Sequence, residues 1–542
     1  MPYRYLELAD GSVLGLEIHV SRPRDPEVAL KPALRRYDVH LSDIVRSSST
    51  NINVQMNYWP ALVTNLADLQ GPLDDLIAAT KDKGTNVSAA MYGVDNGGFV
   101  LHHNTDMWGD AAPQDNYVYS TWWASAAPWM VFHQMEYYRF TGDTAYLRRI
   151  YPNLKSAAQF FVGFLSDYEG YKVVNPTMSP ENAYYPPNAN TTAIAITLGA
   201  TMDTELLWEL FNGVKEVNKI LDLGDDAFVS QLVDLEAQFP PYRENYFGGL
   251  QEWIHDYQEV RALAVMYSRR SGLTHNAGYP RYRPSVAALG RIPWQSDHKC
   301  QHDSLQLGSR DPKSSPRVGP KLWLSSKLMT NGAHRHGSAA GGWGASWCTA
   351  LSGRYFRPDW ATHCITHLLG TQLQPDSLLN SGAPSEFQID GNLGLPGGMV
   401  ELLLQSHESI STARTSPPSY NGGSEAHGQR LTAAFTGDVN KVSLIRLLPT
   451  LPAEFAKAGG GGFVTGLRAR GGFEVDITWD ETGALMVAHI TSTLGGVVYV
   501  TNGDTPIGSN NGTSRINSTG VKSGGFLRLV TKAGKSYTVT RG

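Results

Sequence analysis

The chain has 542 residues, of which 41% are hydrophobic and 10% aromatic, with thirteen Trp residues. That length is sufficient for more than one domain and a large core. The net charge of −5 gives no reason to expect nucleic acid or an anionic membrane as a partner. No apolar run approaches the roughly 18 residues that a membrane-spanning helix needs, so we expect no membrane partner either.

The first 46 residues mix Pro and charge with one short alternating stretch, and we expect only a stub or linker over 1–46. They contain no apolar signal-peptide region. Elsewhere the chain has three cysteines, Cys300, Cys348 and Cys364. They are odd in number and unpatterned, and they indicate neither a disulfide framework nor a metal site.

A run of asparagines and aromatic residues follows the stub, with Asn51, Asn53 and Asn57 leading into Tyr58 and Trp59. Asn fits poorly in a helix or strand, because its amide competes with the backbone for hydrogen bonds. Amides beside aromatic rings are typical of carbohydrate sites, where amides bind hydroxyls and rings cover the apolar faces of sugars. The structural alternative is a turn with a buried Trp, and this run alone does not decide.

The pattern from about 60 to 258 is helical. Pro128 to Phe140 reads as one helix, and Asp143 can cap the next, which begins at Thr144. Apolar residues at three- and four-residue spacing predict one face of a further helix: Leu207, Leu210, Phe211, Val214, Val217 and Leu221. Repeated helix–turn–helix units are typical of an all-α toroid, so the fold class is predicted to be mainly α.

The second half of the chain is less regular. Residues 261–330 hold twelve Lys or Arg against three acids and show no sustained periodicity, and a frameshift or retained intron explains this better than a functional basic patch. Residues 406–441 read as a loop or second insertion. From 442 to 542, alternating strands punctuated by Gly and Asn predict an antiparallel β-domain, a sandwich.

Four segments in order resemble the catalytic domain of the α-L-fucosidases of glycoside hydrolase family 95. They begin at Asn51, His102, Ser179 and Phe387, and they read NINVQMNYWP, HHNTDMW, SPEN and FQIDGN. The resemblance implies a six-hairpin glycosidase with an (α/α)6 toroid barrel over 47–405, interrupted by an aberrant or disordered insertion at 261–333. It also implies a chain truncated at its N-terminus, because relatives carry an N-terminal β-domain. The family is expected to be extracellular, but this chain shows no signal peptide, so its compartment stays open.

Cleavage of a glycosidic bond usually needs two carboxyl groups. By resemblance, Glu181 matches the family's general acid and Asp390 its general base, while Asn51 and Asn53 hold the attacking water. The implied outcome is hydrolysis with inversion. Taken alone, Glu181 reads as a helix-start residue, and Asp390 as a turn or N-cap residue.

Six further residues are expected to line the sugar subsite: His102, His103, Asn104, Asp106, Trp59 and Trp108. At least one of the two His residues is expected to be structural. A metal site at His102, His103 and Asp106 is a minor alternative, because adjacent His residues rarely reach one ion. We therefore expect no cofactor and no metal.

The expected substrate is a fucosylated oligosaccharide or glycan. An α-L-galactosidase is the nearest alternative, since L-galactose differs from L-fucose by one hydroxyl. A catalytically inactive carbohydrate-binding remnant is the other, because the Gly-His-Arg-His motif that relatives carry after the segment ending at Val260 is missing, and Pro384 stands where many relatives have His.

Overall fold

A computed structural model of the chain describes residues 7–8, 48–114, 118–187, 193–243, 245, 250–260, 342–373, 388–411, 441–502, 507–509 and 526–541. The predicted aberrant segment at 261–333 lies outside these residues, as does Cys300. Most of the stub at 1–46 does too, apart from strand β1, Glu7–Leu8. In the described part, no helix is both long and apolar enough to cross a bilayer.

The first half of the chain is helical. Its helices are α1 Asn53–Val63, α2 Gln70–Tyr92, α3 Ala126–Thr141, α4 Thr144–Phe164, α5 Thr201–Leu221 and α6 Asp226–Glu236, with a 3-10 turn at Ala67–Leu69. Short strand pairs connect them: β2 Ser48–Ser49 with β3 Asn104–Thr105, β4 Ser166–Tyr168 with β5 Tyr171–Val173, and β6 Ala183–Tyr185 with β7 Gln258–Val260.

Local sequence signals explain these boundaries. The backbone N–H of Tyr146 donates to the Asp143 carboxylate at 2.9 Å, so Asp143 caps α4 as predicted. Gly142, with a φ of +69°, ends α3 in the left-handed conformation that glycine adopts without strain. On α5 the predicted apolar face is buried from Leu207 to Val217, so this helix was predicted correctly.

A second helical group follows the undescribed segment. It contains α7 Gly342–Arg354, α8 Pro358–His367, a π-helical turn at Leu368–Gln372, and α9 Ile389–Leu403. Cys348 on α7 and Cys364 on α8 form a disulfide, which corrects the expectation that the cysteines form none. The spacing of 16 residues carried no signal because the pairing depends on how two helices pack.

Glycines allow α9 to approach its neighbours closely. A Cβ built on Gly391 would lie 2.6 Å from the backbone of Gly342 on α7. One built on Gly394 would lie 2.5 Å from Met56 on α1, and one on Gly397 would lie 2.9 Å from Trp59. The end of the Met56 side chain could move aside, but the backbone of Gly342 and the Cβ of Trp59 could not. The absence of a side chain at Gly391 and Gly397 therefore sets how near α7 and α1 come to α9.

The chain then becomes β-rich. Its strands are β8 Leu404–Ser411, β9 Lys441–Leu447, β10 Gly461–Ala469, β11 Phe473–Asp480, β12 Leu485–Ser492, β13 Gly496–Thr501, β14 Ile507–Ser509, β15 Leu527–Thr531 and β16 Lys535–Arg541, with the short helix α10 Ala453–Ala458. Strand β8 occupies the start of the loop predicted for 406–441. That boundary was therefore placed too early, and residues 412–440 lie outside the described part.

These strands form two sheets around one core. One sheet has the order β1-β10-β11-β12-β16-β14 and the other β15-β13-β9-β8. In β11, Phe473, Val475, Ile477 and Trp479 alternate toward the core, where they join Val498 and Leu529 of the other sheet. Among the strands numbered β8 to β16, only the described β9–β13 pair is parallel. The other described pairs are antiparallel.

An ion-pair network joins the β-rich region to the helices. Arg470, just after β10, pairs with Glu136 on α3, and its guanidinium lies 4.9 Å from the centroid of the Phe140 ring. Arg139 pairs with Glu136 at 3.0 Å and with Glu209 at 2.8 Å. The backbone N–H of Gly471 donates to the Arg139 carbonyl at 2.8 Å. These contacts fix the β-rich region against α3.

Candidate functional site

The start of α1 meets the start of α9 at a buried polar contact. Asn53 is the first residue of α1, and its Nδ2 donates to Oδ2 of Asp390, in the first turn of α9, at 2.5 Å. The two residues are 337 positions apart in sequence. Only 3% of Asp390 is exposed. The structure therefore brings together two of the four predicted catalytic residues.

Burial controls the acidity of Asp390. Loss of solvent raises the pKa of its carboxyl above the ordinary value, and the Asn53 amide and nearby backbone N–H groups offset part of that rise. A neutral amide satisfies one carboxylate oxygen without adding a positive charge. The carboxyl thus keeps a higher proton affinity than an aspartate paired with Arg or Lys.

The backbone between Asn51 and Asn53 is strained. Ile52 has a φ of 144° and a ψ of −31°, although it is β-branched and buried. A residue in such a region costs on the order of 1–3 kcal/mol, and the surrounding structure must hold it there. Asn51 turns to a different partner, since its Oδ1 accepts a hydrogen bond from Ser49 Oγ at 2.8 Å.

A buried threonine holds this segment beside the His102 motif. Thr50 Oγ1 donates to the carbonyls of His102 at 2.6 Å and His103 at 2.7 Å, and its N–H also donates to His103. Gln55 Nε2 donates to the Thr50 carbonyl at 2.7 Å. Thr50 was not singled out from the sequence, because a single Thr before an Asn run carries no distinctive signal.

The structure places His102 in the core. It is fully buried, and its Nδ1 donates to the Ala111 carbonyl at 2.7 Å, so Nε2 must accept from the Tyr92 hydroxyl at 2.5 Å. Burial lowers the pKa of His102 to about 4, and the Ala111 carbonyl and Asp110 only partly counter that. Both ring nitrogens are occupied by protein, so His102 supports its neighbours as a neutral residue.

The other predicted subsite residues differ in position. His103 and Asn104 are buried, and Asn104 lies in β3 opposite Ser49. Asp106 Oδ1 accepts the backbone N–H of Trp108 at 2.9 Å and of Asp110 at 3.0 Å, which closes a turn. That turn leaves the Trp108 side chain exposed, with 69% of its surface accessible.

Trp59 has a packing role. Its ring lies edge-on to Trp347 on α7, with centroids 6.3 Å apart, and its backbone and Cβ contact Gly397. Trp59 therefore connects α1 to both α7 and α9.

A contact from α7 helps to fix the start of α9. The backbone N–H of Trp343 donates to the Gln388 side chain at 3.1 Å.

Glu181 lies on the loop between β5 and β6 and is exposed. The backbone N–H of Asn182 donates to the Ser179 carbonyl at 2.7 Å, which closes a tight turn around it. Glu181 is thus an exposed carboxyl on a turn, whereas Asp390 is a buried carboxyl on a helix. Within the described ranges, no group of three or more His, Cys, Asp or Glu is arranged to hold a metal ion.

Two family models match parts of the chain. The family model "Glycosyl hydrolase family 95 catalytic domain" matches residues 46–265, and "Glycoside hydrolase family 95, C-terminal domain" matches residues 441–539. Together they include the segment from Asn51 to Glu252 and nearly all of the strands from β9 onward.

Two whole sequences are also similar to this chain. The chain is 25% identical over 441 residues to Alpha-L-fucosidase 2 of Arabidopsis thaliana, covering 80% of this chain and 43% of that protein. It is 27% identical over 444 residues to Probable alpha-fucosidase A of Aspergillus niger (strain ATCC MYA-4892 / CBS 513.88 / FGSC A1513), covering 80% and 47%. The chain thus spans less than half the length of either relative.

Solved structures show a weaker similarity. The crystal structure of Streptomyces avermitilis alpha-L-rhamnosidase complexed with L-rhamnose matches with 11% identity and a TM-score of 0.39, covering 90% of this chain and 38% of that one. A similarity this low does not define how the helices are arranged.

Proposed function

Because this chain belongs to glycoside hydrolase family 95, we propose that it hydrolyses terminal α-L-fucosyl linkages in oligosaccharides or plant glycans, with inversion at the anomeric carbon. The names of the two relatives support fucose as the sugar that is removed. The observation that carries the proposal is the hydrogen bond from Asn53 to Asp390, because it joins an amide and a carboxyl from two distant motifs.

In the proposed reaction, Asp390 is the general base. Its carboxylate takes a proton from water, whose oxygen attacks the anomeric carbon, while the amides of Asn51 and Asn53 orient that water. Glu181 gives its proton to the glycosidic oxygen as the bond to carbon breaks. Inversion requires the two carboxyl groups to stand roughly 6.5–9.5 Å apart, with room for the water between them.

We also propose that the helices close into an (α/α)6 toroid. Contacts between its two ends support closure, since α1 packs against α9 through Met56 and Trp59. Such closure would place Asn53 and Asp390 at the same end of the barrel, at the N-termini of α1 and α9. His103, Asn104 and Trp108 are proposed to line the sugar subsite beside them.

The proposal is tested by fucose release from a fucosylated trisaccharide, followed by proton NMR. We expect β-L-fucose as the first anomer formed, which shows inversion, and slower release from an α-L-galactoside. Glu181→Gln should lower turnover by about 10²–10⁴-fold, the usual contribution of general acid catalysis. First-formed α-L-fucose, or full turnover in Glu181→Gln, would contradict the mechanism.

Binding measurements separate the remaining alternatives. Preference for the galactoside would make the chain an α-L-galactosidase. Calorimetric binding of the trisaccharide without any release of sugar would identify a carbohydrate-binding remnant.

A further inference from the structure

The loop that carries Glu181 is attached to a buried carboxylate. Ser179 is fully buried, and its Oγ donates a hydrogen bond to Oε1 of Glu252. Glu252 is itself 3% exposed and lies 73 residues further along the chain. Burying a carboxylate costs several kcal/mol unless it is well paired, so a carboxylate retained here has a structural or functional reason.

Ser179 is held by two hydrogen bonds, one through its backbone and one through its side chain. The Ser179 carbonyl accepts the N–H of Asn182, while its hydroxyl is held by Glu252. Ser179 is therefore the fixed first residue of the turn in which Glu181 is the third. A shift at Ser179 would move Glu181 directly, since only the buried Pro180 separates them.

Glu252 in turn has a fixed backbone. Its carbonyl accepts the N–H of Thr201, the first residue of α5, at 3.0 Å. The Thr201 hydroxyl donates to the neighbouring carbonyl of Gln251 at 2.6 Å, and Trp253 is buried on the other side. The carboxylate of Glu252 is thus anchored to the start of a long helix.

A second buried carboxylate holds the entry of the same loop. Asp203, on the first turn of α5, accepts the Thr177 hydroxyl at 2.6 Å and the Trp123 indole N–H at 3.1 Å. Thr177 also exchanges two backbone hydrogen bonds with Thr197. The loop from 177 to 182 therefore rests on two buried carboxyl groups that the start of α5 fixes in place.

We propose that Glu252 is a positioning residue for Glu181, holding through Ser179 the turn that delivers its proton to the leaving group. The inference rests on the proposed role of Glu181 as the general acid. In that step the O–H bond of Glu181 breaks as a bond from its proton to the glycosidic oxygen forms. Glu181 is left as a carboxylate, and Glu252 takes no part in the proton transfer.

The test compares two leaving groups. When fucose is cleaved from a trisaccharide, the disaccharide leaving group is an alkoxide that needs protonation, whereas the phenolate of 2-chloro-4-nitrophenyl α-L-fucoside needs little. For the full chain carrying Ser179→Ala or Glu252→Ala, we expect kcat on the trisaccharide to fall by about 10–100-fold with KM little changed, and kcat on the aryl fucoside by less than about threefold. The double variant should fall no further than the worse single variant, because both changes break one contact.

Ser492→Ala is the matched control. Ser492 is a fully buried Ser of β12 whose Oγ accepts the N–H of Gly495 at 2.9 Å, and its loss should affect both substrates equally or not at all. Equal losses on both substrates in Ser179→Ala, or no loss, would overturn the inference even if Glu252→Ala does not fold. Glu181→Gln, measured in parallel, keeps the two proposals apart: if it alone shows the leaving-group dependence, the acid stands and only the role of Glu252 fails.

Discussion

Two buried carboxyl groups on helices of this protein have pKa values that are shifted in opposite directions from the ordinary value. Asp390 on α9 is paired with the amide of Asn53, and burial raises its pKa. Burial also acts to raise the pKa of Glu136 on α3, but the guanidiniums of Arg470 and Arg139 outweigh it and lower that pKa to about 2. Burial thus gives a carboxyl with raised proton affinity where the partner is a neutral amide, and a stable anion where the partners are two guanidiniums.

The difference in pKa suits Asp390 to a chemical role and Glu136 to a structural one. A carboxyl whose pKa is raised by burial and not lowered by a cation takes up a proton more readily, which suits a general base. A carboxylate held between two guanidiniums cannot, but it joins the elements that supply them. The comparison therefore predicts that the two residues respond in opposite ways to the same change from carboxyl to amide.

The largest effect is expected for Asp390→Asn. Without a base, turnover of a fucosylated trisaccharide should fall by about 10³-fold or more, within the range seen when a catalytic proton acceptor is removed. The thermal midpoint should stay unchanged or rise, because the raised pKa of Asp390 means that its ionised form is disfavoured in the folded state. Calorimetry and a kinetic assay on one preparation check both, and a strong drop in midpoint would assign Asp390 to structure.

Glu136→Gln should do the reverse. Removing one partner of a buried ion pair costs about 3–5 kcal/mol of unfolding free energy, since Arg470 is left without its anion, whereas kcat should be kept. Glu209→Gln is the control, because Glu209 contacts Arg139 but is not paired with Arg470, and it should cost less.

Acid unfolding gives an independent measurement of the same group. A lowered pKa stabilises the fold fully above the unfolded value near 4.5, and this contribution is lost as the pH falls from there toward 2. The unfolding free energy of Glu136→Gln should therefore fall less steeply than wild type over that interval. Parallel curves would mean that Glu136 does not hold the two regions together.

A smaller effect is expected for Asn53→Ala. The Asn53 amide lowers the pKa of Asp390, so its removal should raise that pKa further. The acidic limb of kcat/KM should move to higher pH by up to about one unit, equivalent to about 1.4 kcal/mol. Asn51→Ala is the comparison variant, because Asn51 binds Ser49, and its acidic limb should stay in place. Identical shifts in both variants would remove the distinction between the two amides.

Much of the fold could be predicted from local patterns. The apolar face of α5, the Asp143 cap and the alternation in β11 each depend on a few neighbouring residues, and each was predicted correctly. The Cys348–Cys364 disulfide was missed because it depends on the packing of α7 against α8. The start of the predicted loop at 406 was misplaced because Ser-rich strands and loops look alike in sequence.

The candidate site was predictable as a set of motifs but not as a set of contacts. Nothing local to Asn51 or Asn53 says which amide reaches Asp390, and the structure selects Asn53. His102 was named with its neighbours, yet its environment is that of a core residue held by Tyr92 and Ala111. Glu252 lay within a recognisable segment, but the pairing with Ser179 that gives it meaning spans 73 residues.

The glycines of α9 carry a lesson for anyone who redesigns or compares such sequences. Gly391, Gly394 and Gly397 look like poor helix formers that an alanine would improve. Here Gly391 and Gly397 face another helix at a distance that no methyl group could occupy, whereas at Gly394 only the flexible end of Met56 stands in the way. The missing side chains at these glycines thus help to bring the Asn53 amide within reach of Asp390. An alanine that stabilises α9 in isolation would move Asn53 and Asp390 apart, although neither residue had been changed.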